Sequence, residues 1–301
     1  MKKLILAGAL AVAPFVANAQ YNWDFGGGIG AANVLGDMGG NELSRRDFVA
    51  DMKLTQTRQA ANAFARYKIN QYFSVKGSIN YVTLRGADSL SSNRGRYYRN
   101  LSFRNYVWEA AAEAQFFFYE INDLGRTYRY TNSFRAYVGL GVSGLYHNPK
   151  ANYKGEWIAL RPLETENYRY SKVVLAIPAT AGFYFTFNKQ FRVGWNLSWR
   201  TTFTDYLDDV STIYVDKPSG SMAAILANRT NIAAAEAEEP GLSNNWVPGS
   251  KRGDPSHNDS FLTTNIEFSY VYRGKSSLYK SKYGNIFKGQ KVKRRKVRAK
   301  F

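Results

Sequence analysis

Residues Gln190-Phe-Arg-Val-Gly-Trp-Asn-Leu-Ser-Trp-Arg-Thr201 constrain the fold more than any other stretch of the chain. Successive side chains of a strand point to opposite faces. Phe191, Val193, Trp195, Leu197 and Trp199 therefore share one face, and Arg192, Gly194, Asn196, Ser198 and Arg200 share the other. One face is apolar and aromatic, while the other is polar and charged. A soluble sheet can carry such a strand. Repetition of the pattern behind an export signal favours the strands of a membrane barrel.

The export signal is Met1–Ala19. Lys2 and Lys3 form a basic start, Leu4–Val16 an apolar stretch, and Ala17-Asn18-Ala19 a small-residue cleavage site. The apolar stretch is too short to span a bilayer as a helix, and no longer one follows. An exported chain without cysteine cannot be a disulfide scaffold and has no thiol chemistry. A barrel of this length is expected to be one unit.

Seven further segments fit the alternating template: 21–34, 58–69, 72–85, 105–118, 133–146, 173–187 and 259–272. The fourth of these contains Glu109-Ala-Ala-Ala-Glu-Ala114, a composition that favours helix. Its aromatic residues Tyr106, Trp108, Phe116 and Phe118 fit alternation alone, so a strand is expected. Asn70-Gln71 and Asn188-Lys189 read as tight turns and 119–132 as a medium connection, whereas 35–57, 86–104, 147–172 and 206–258 are long polar links. Short turns at one end, long loops at the other and an even strand number describe an outer-membrane barrel. The fold class is therefore all-β, an eight-stranded antiparallel transmembrane β-barrel over residues 20–273, with the C-terminus in the periplasm.

A barrel of eight strands has room inside only for side chains. The inward set holds Arg66, Lys68, Lys76, Arg135, Arg192 and Arg200 beside Glu109, Glu113 and Glu267. Unpaired buried charge is costly, so these residues are expected to form an ion-pair network that plugs the lumen. A plugged barrel is not a pore.

Other motifs carry less. Gly26-Gly27-Gly28-Ile29-Gly30 lacks the full spacing and the following helix of a dinucleotide loop, and small residues in a crowded wall explain it. His147 and His257 lie at outer strand ends, and Asp254 and Asp259 near His257 raise a hydrolase reading. No metal-ligand cluster is visible, and neither a cofactor nor a small-molecule substrate is expected. Arg252-Gly253-Asp254 matches an adhesion tripeptide, although Gly and Asp also simply make turns. The alanine-rich stretch 222–238 is expected to form a short helix.

Charge is concentrated at the C-terminus. Of the formal net charge of +18, twelve belong to Arg273–Phe301 and two to Lys2 and Lys3, leaving +4 for the rest. Lys288, Lys291, Lys293, Arg294, Arg295, Lys296, Arg298 and Lys300 crowd the last residues. In an exported barrel this segment, 274–301, meets no nucleic acid. An acidic protein surface, anionic lipid or cell wall is its expected partner, and a merely solvated tail is the alternative. Interleaved Tyr279, Tyr283, Ile286, Phe287 and Val292 favour docking.

Several elements together resemble a known family. They are the glycine-rich first strand leading to Gly36-Asp37-Met38, the Arg45-Arg46 pair, Ala65-Arg66-Tyr67 before a tight turn, and Lys251-Arg252-Gly253-Asp254-Pro255 before Asn258-Asp259. Over residues 20–273 they resemble the PorG-like outer-membrane components of the type IX secretion machinery of Bacteroidota. The basic tail departs from that pattern. The resemblance implies a non-enzymatic scaffold, connected with protein secretion and gliding motility, that anchors a periplasmic ring built from a lipoprotein and its partner. A small surface barrel of the OmpA/OmpX kind, binding through loop 206–258, is the competing reading, and an outer-membrane hydrolase is the third.

Overall fold

A computed structural model describes residues 23–38, 52–122, 124, 132–238 and 240–272. The signal, the Arg45-Arg46 pair and the basic tail lie outside the described residues. Eight long strands make the wall: β1 (Trp23–Leu35), β2 (Arg58–Lys68), β3 (Phe73–Ala87), β4 (Ser102–Asn122), β5 (Ser133–Tyr146), β8 (Val173–Phe187), β9 (Phe191–Thr202) and β10 (Ser260–Tyr272). Neighbours in sequence are neighbours in space. β10 lies beside β1, and the β3–β4 pairing completes the circuit. The result is a closed antiparallel barrel, to which the hairpin β6 (Lys150–Tyr153) and β7 (Glu156–Ala159) is attached at β4.

The alternation read in the sequence is the alternation of the wall. β4 switches between exposed and buried at every step from Asn105 to Phe118, so the helix-prone alanine run is strand. Local propensity yields here to cross-strand pairing with both neighbours. Apolar residues point out: Ile29 is 70% exposed, Val142 66% and Leu175 64%. Charged residues point in, with Glu109 1% and Arg200 3% exposed. This inverts the arrangement of a soluble protein and matches a wall solvated by lipid. Aromatic pairs flank the apolar band at both ends. Trp23–Tyr67, Phe73–Phe116 and Phe191–Tyr270 lie at the turn end, with ring centroids 4.9, 5.3 and 5.6 Å apart, and Tyr81–Trp108 at the loop end, at 5.0 Å. No helix among the described residues is long and apolar enough to cross a membrane; the strands do the crossing.

The two tight turns have local causes. Asn188 and Lys189 both adopt left-handed backbone, φ 49° and 57°, and the Gln190 amide donates to the Phe187 carbonyl at 3.0 Å, closing a three-residue loop between the paired Phe187 and Phe191. At the other turn Asn70 Oδ1 accepts from the Tyr72 and Phe73 amides, both at 2.8 Å. At the seam between first and last strands, a Cβ on Gly30 would stand 1.8 Å from the Thr264 carbonyl oxygen. That close approach accounts for glycine there.

The long links are more ordered than their polar composition indicates. Residues 86–104 contain helix α1 (Arg94–Arg99), capped by the Asn93 side chain accepting from the Arg96 amide. The single helix expected over 222–238 is two, α2 (Met222–Ala227) and α3 (Ile232–Glu238), separated at Asn228–Asn231.

Candidate functional site

The turn-side half of the lumen is filled by ion pairs. Arg66 reaches Asp24 at 3.2 Å and Glu267 at 3.6 Å, and Lys76 reaches Glu267 at 2.5 Å. Arg192 meets Asp24 at 2.6 Å, Arg200 meets Glu109 at 3.0 Å, and Arg135 meets Glu120 at 2.5 Å. Amides complete the shell: Asn62 and Asn196 donate to Glu267 at 3.1 and 2.5 Å, and Asn80 donates to Glu109 at 2.9 Å. Aromatic rings pack against the cations. The Arg66 guanidinium lies 5.0 Å from the Tyr184 ring centroid, and the Lys76 ammonium 4.4 Å from that of Phe64.

Of the nine lumen residues read from sequence, seven therefore meet a carboxylate or cation. Lys68 is half-buried near the turn end and Glu113 sits buried across from Lys76 in the β3–β4 register, yet neither closes an ion pair among the described residues. Asp24 and Glu120 join the network in addition to those nine. Asp24 falls between Trp23 and Phe25, so strict alternation already places it inward.

Toward the loops the lumen becomes mainly apolar, with the Arg200–Glu109 pair at the border, whereas one charged network is expected from the sequence. Val82, Leu84, Phe103, Val107, Leu145 and Phe261 line it, and Leu207 and Val210 from the β9–β10 connection pack among them. Polar contacts hold that plug in place. Asn105 donates to the Leu207 carbonyl at 2.8 Å, Asp259 accepts from the Leu207 amide at 2.9 Å, and Asp208 accepts from the Val210 and Met38 amides at 3.0 and 2.9 Å. An apolar stopper thus closes one end of the barrel and ion pairs close the other.

Above the stopper two buried arginines tie the loops into a cap. Arg99 donates from Nε to Asp88 at 2.6 Å and from its terminal nitrogens to the carbonyls of Asp37 and Arg252, at 2.8 and 2.5 Å. Arg252 donates to Glu166 and to the Asp209 carbonyl, both at 2.6 Å. The arginine of the Arg-Gly-Asp tripeptide is therefore consumed inside the cap and is 3% exposed. That overturns the tripeptide as a presented adhesion motif; its role is structural. Burial and the charge of Asp37 push the Asp208 carboxyl up to about 7. Asp259 is raised well above the usual carboxylate range by burial and by Asp208, Asp205 and Asp37.

The histidines show no catalytic arrangement. His257 Nδ1 faces both Asp254 Oδ2, at 3.0 Å, and Ser256 Oγ, at 2.9 Å. A nucleophile–base–acid relay needs the serine and the acid on opposite ring nitrogens. His147 is buried, its Nε2 lies 2.9 Å from the Ser171 carbonyl, and burial lowers its pKa to about 4. Among the described residues no group of three His, Cys, Asp or Glu could hold a metal ion. An open cavity in the cap, about 350 Å³, is lined by Arg96, Tyr214, Trp246, Lys251 and Asp254 among others.

A family model described as a domain of unknown function, DUF6089, matches residues 2–216. The chain belongs to the DUF6089 family. The matched part of this DUF6089 chain runs from the signal through β9 and stops before β10. None of the curated proteins matches it. Among solved structures it is similar to Ail, the attachment invasion locus protein of Yersinia pestis, at 10% identity and a TM-score of 0.34, covering 83% of this chain and 99% of that one. It is also similar to Neisserial surface protein A, at 7% identity and a TM-score of 0.36 with 83% and 97% covered. OprG from Pseudomonas aeruginosa matches at 9% identity and a TM-score of 0.33 with 85% and 99% covered. At such values the likeness bears on neither ligand nor role.

Proposed function

We propose that this protein is a non-conducting, non-enzymatic scaffold in the outer membrane of a Gram-negative bacterium. Within that class, we propose a PorG-like anchor of the type IX secretion machinery in Bacteroidota. The observation that carries the scaffold reading is the lumen filled twice over, by ion pairs toward the turns and by Leu207 and Val210 toward the loops. A barrel so filled has no path to offer a solute, which leaves its surfaces and termini as its working parts. On this reading the loop end faces outward, the turns face the periplasm, and Lys288–Lys300 dock on an acidic face of a periplasmic ring.

The test is a pull-down from detergent-solubilised membranes, with and without residues 275–301. The ring lipoprotein and its partner are expected to co-purify with the full chain and to be lost on truncation or in moderate salt. Undiminished recovery with the truncated chain counts against the tail as the anchor.

One observation favours a second reading, surface binding through loop 206–258: the cavity beside Trp246 opens on the cap. On that reading Trp246→Ala impairs attachment to a surface, and loss of the tail has no effect.

A further inference from the structure

Near its loop end the outer wall changes from aromatic to cationic within one step of the alternation. On β4, Trp108 and Tyr106 point outward, and the next outward residue is Arg104. β3 places Arg85 directly opposite Arg104, and β6 places Lys150 opposite Arg104 on its other side. Three cations therefore form a row across three strands. Arg58 at the start of β2 lies within electrostatic reach of Arg85 and Arg104 but shares the lumen-facing side of its register partner Ala32, so it stands outside the row.

Like charges directly opposite one another across a sheet repel, and among the described residues no ion pair offsets them. Arg85 and Lys150 make no ion pair among the described residues, and both are partly exposed. Arg104 lies over the Trp157 ring at 4.1 Å and donates to the Tyr106 hydroxyl at 3.2 Å. Arg58 donates to the carbonyls of Thr57 and Thr55 at 2.6 and 3.3 Å. None of these partners carries negative charge. A row of unneutralised cations on a folded wall is a place for an anion.

Position narrows the kind of anion. At about 3.3 Å per residue of strand, the row lies two residues, about 7 Å, beyond Tyr106 and four residues, about 13 Å along the tilted strands, beyond the Tyr81–Trp108 pair. Aromatic belts mark the boundary between hydrocarbon and headgroups. The cations thus stand at headgroup depth and on the lipid-facing side. Guanidinium groups match phosphate oxygens in bidentate geometry.

We propose that Arg85, Arg104 and Lys150 bind the phosphates of a glycolipid headgroup in the leaflet next to the loop end. The stacked Trp157 holds the Arg104 guanidinium in place. The assignment rests on the reading that the loop end faces outward and is independent of the secretion role.

The test uses full-length protein in phosphatidylcholine nanodiscs, titrated with bisphosphorylated lipid A and read by native mass spectrometry. Heat-modifiable electrophoretic mobility reports folding. At about 1 kcal/mol per cation near an anionic surface, Arg85→Gln/Arg104→Gln/Lys150→Gln is expected to weaken binding on the order of 100-fold. Arg85→Gln/Lys150→Gln, which leaves the Arg104 contacts intact, is expected to weaken it about tenfold or more. The exposed cation change Arg169→Gln is expected to leave it unaltered. Folded variants that bind like the wild type overturn the proposal, as does equally tight wild-type binding of dephosphorylated lipid A. Equal affinity for phosphatidylglycerol overturns the glycolipid assignment. Failed co-purification of the ring with lipid A binding intact touches the scaffold reading alone.

Discussion

Asp208 and Asp259 sit fully buried where the cap meets the barrel, held by backbone amides while Arg99 is spent on Asp88. Asp208 ionises near 3.8 in an unfolded chain and at about 7 in the fold. The folded state therefore binds more protons between those values, and stability falls as pH rises from about 4 to about 7. Asp259, also raised, acts in the same direction. Asp208→Asn is expected to flatten this dependence, read as hydrogen-exchange protection of residues 207–210 corrected for intrinsic rates. An unchanged slope contradicts the assignment. The paired lumen charges behave differently, because each faces an opposite charge. Glu109→Ala leaves Arg200 buried without its carboxylate, and a loss of about 3–5 kcal/mol is expected. Glu109→Leu combined with Arg200→Met should recover most of it in urea titrations of the barrel in phosphatidylcholine vesicles. Residue by residue, alternation was enough to find Arg66, Arg200 and Glu267. Asp24 follows the same rule, although the glycine-rich segment around it weakens the pattern. Arg252 was legible only as a tripeptide, because its partner Glu166 is 86 residues away.

Among the elements, strands were far more legible than what joins them. The bounds of β5 and β8 coincide with the expected segments, while β4 runs on to Asn122. Period-two patterning is local and survives any loop conformation. The stopper is not local: Leu207 and Val210 owe their place to strand residues as far away as Ala32 and Val34. Nor did composition distinguish the β6–β7 hairpin, whose turn uses left-handed Lys154 and Gly155. The glycines of the wall divide by element as well. Gly30→Val would press side-chain atoms into the β10 backbone at the closing seam, whereas a Cβ on Gly77 meets nothing within 4 Å. Gly30→Val is therefore expected to abolish the heat-modifiable band of the closed barrel, and Gly77→Ala to keep it. Loss of the band with Gly77→Ala would show that the wall is constrained where the structure leaves it free.

At the scale of the whole molecule, the fold is an apolar band between two aromatic belts, stopped inside and capped at one end. A cationic row stands beyond one belt. A conduit needs a continuous wet path, and this barrel interrupts it with paired charge and again with packed aliphatic side chains. On the proposed scaffold reading, function is carried by surfaces: the cap, the lipid-facing wall and the basic C-terminal segment. Sequence made the first two visible only in part, since the cap is assembled from four separate links and charge alone cannot say where a loop folds back. Conductance of the folded full-length protein in a planar phosphatidylcholine bilayer tests the sealed barrel most directly. No resolvable current steps are expected in 1 M KCl; reproducible, long-lived steps from protein that retains the heat-modifiable fold would contradict it.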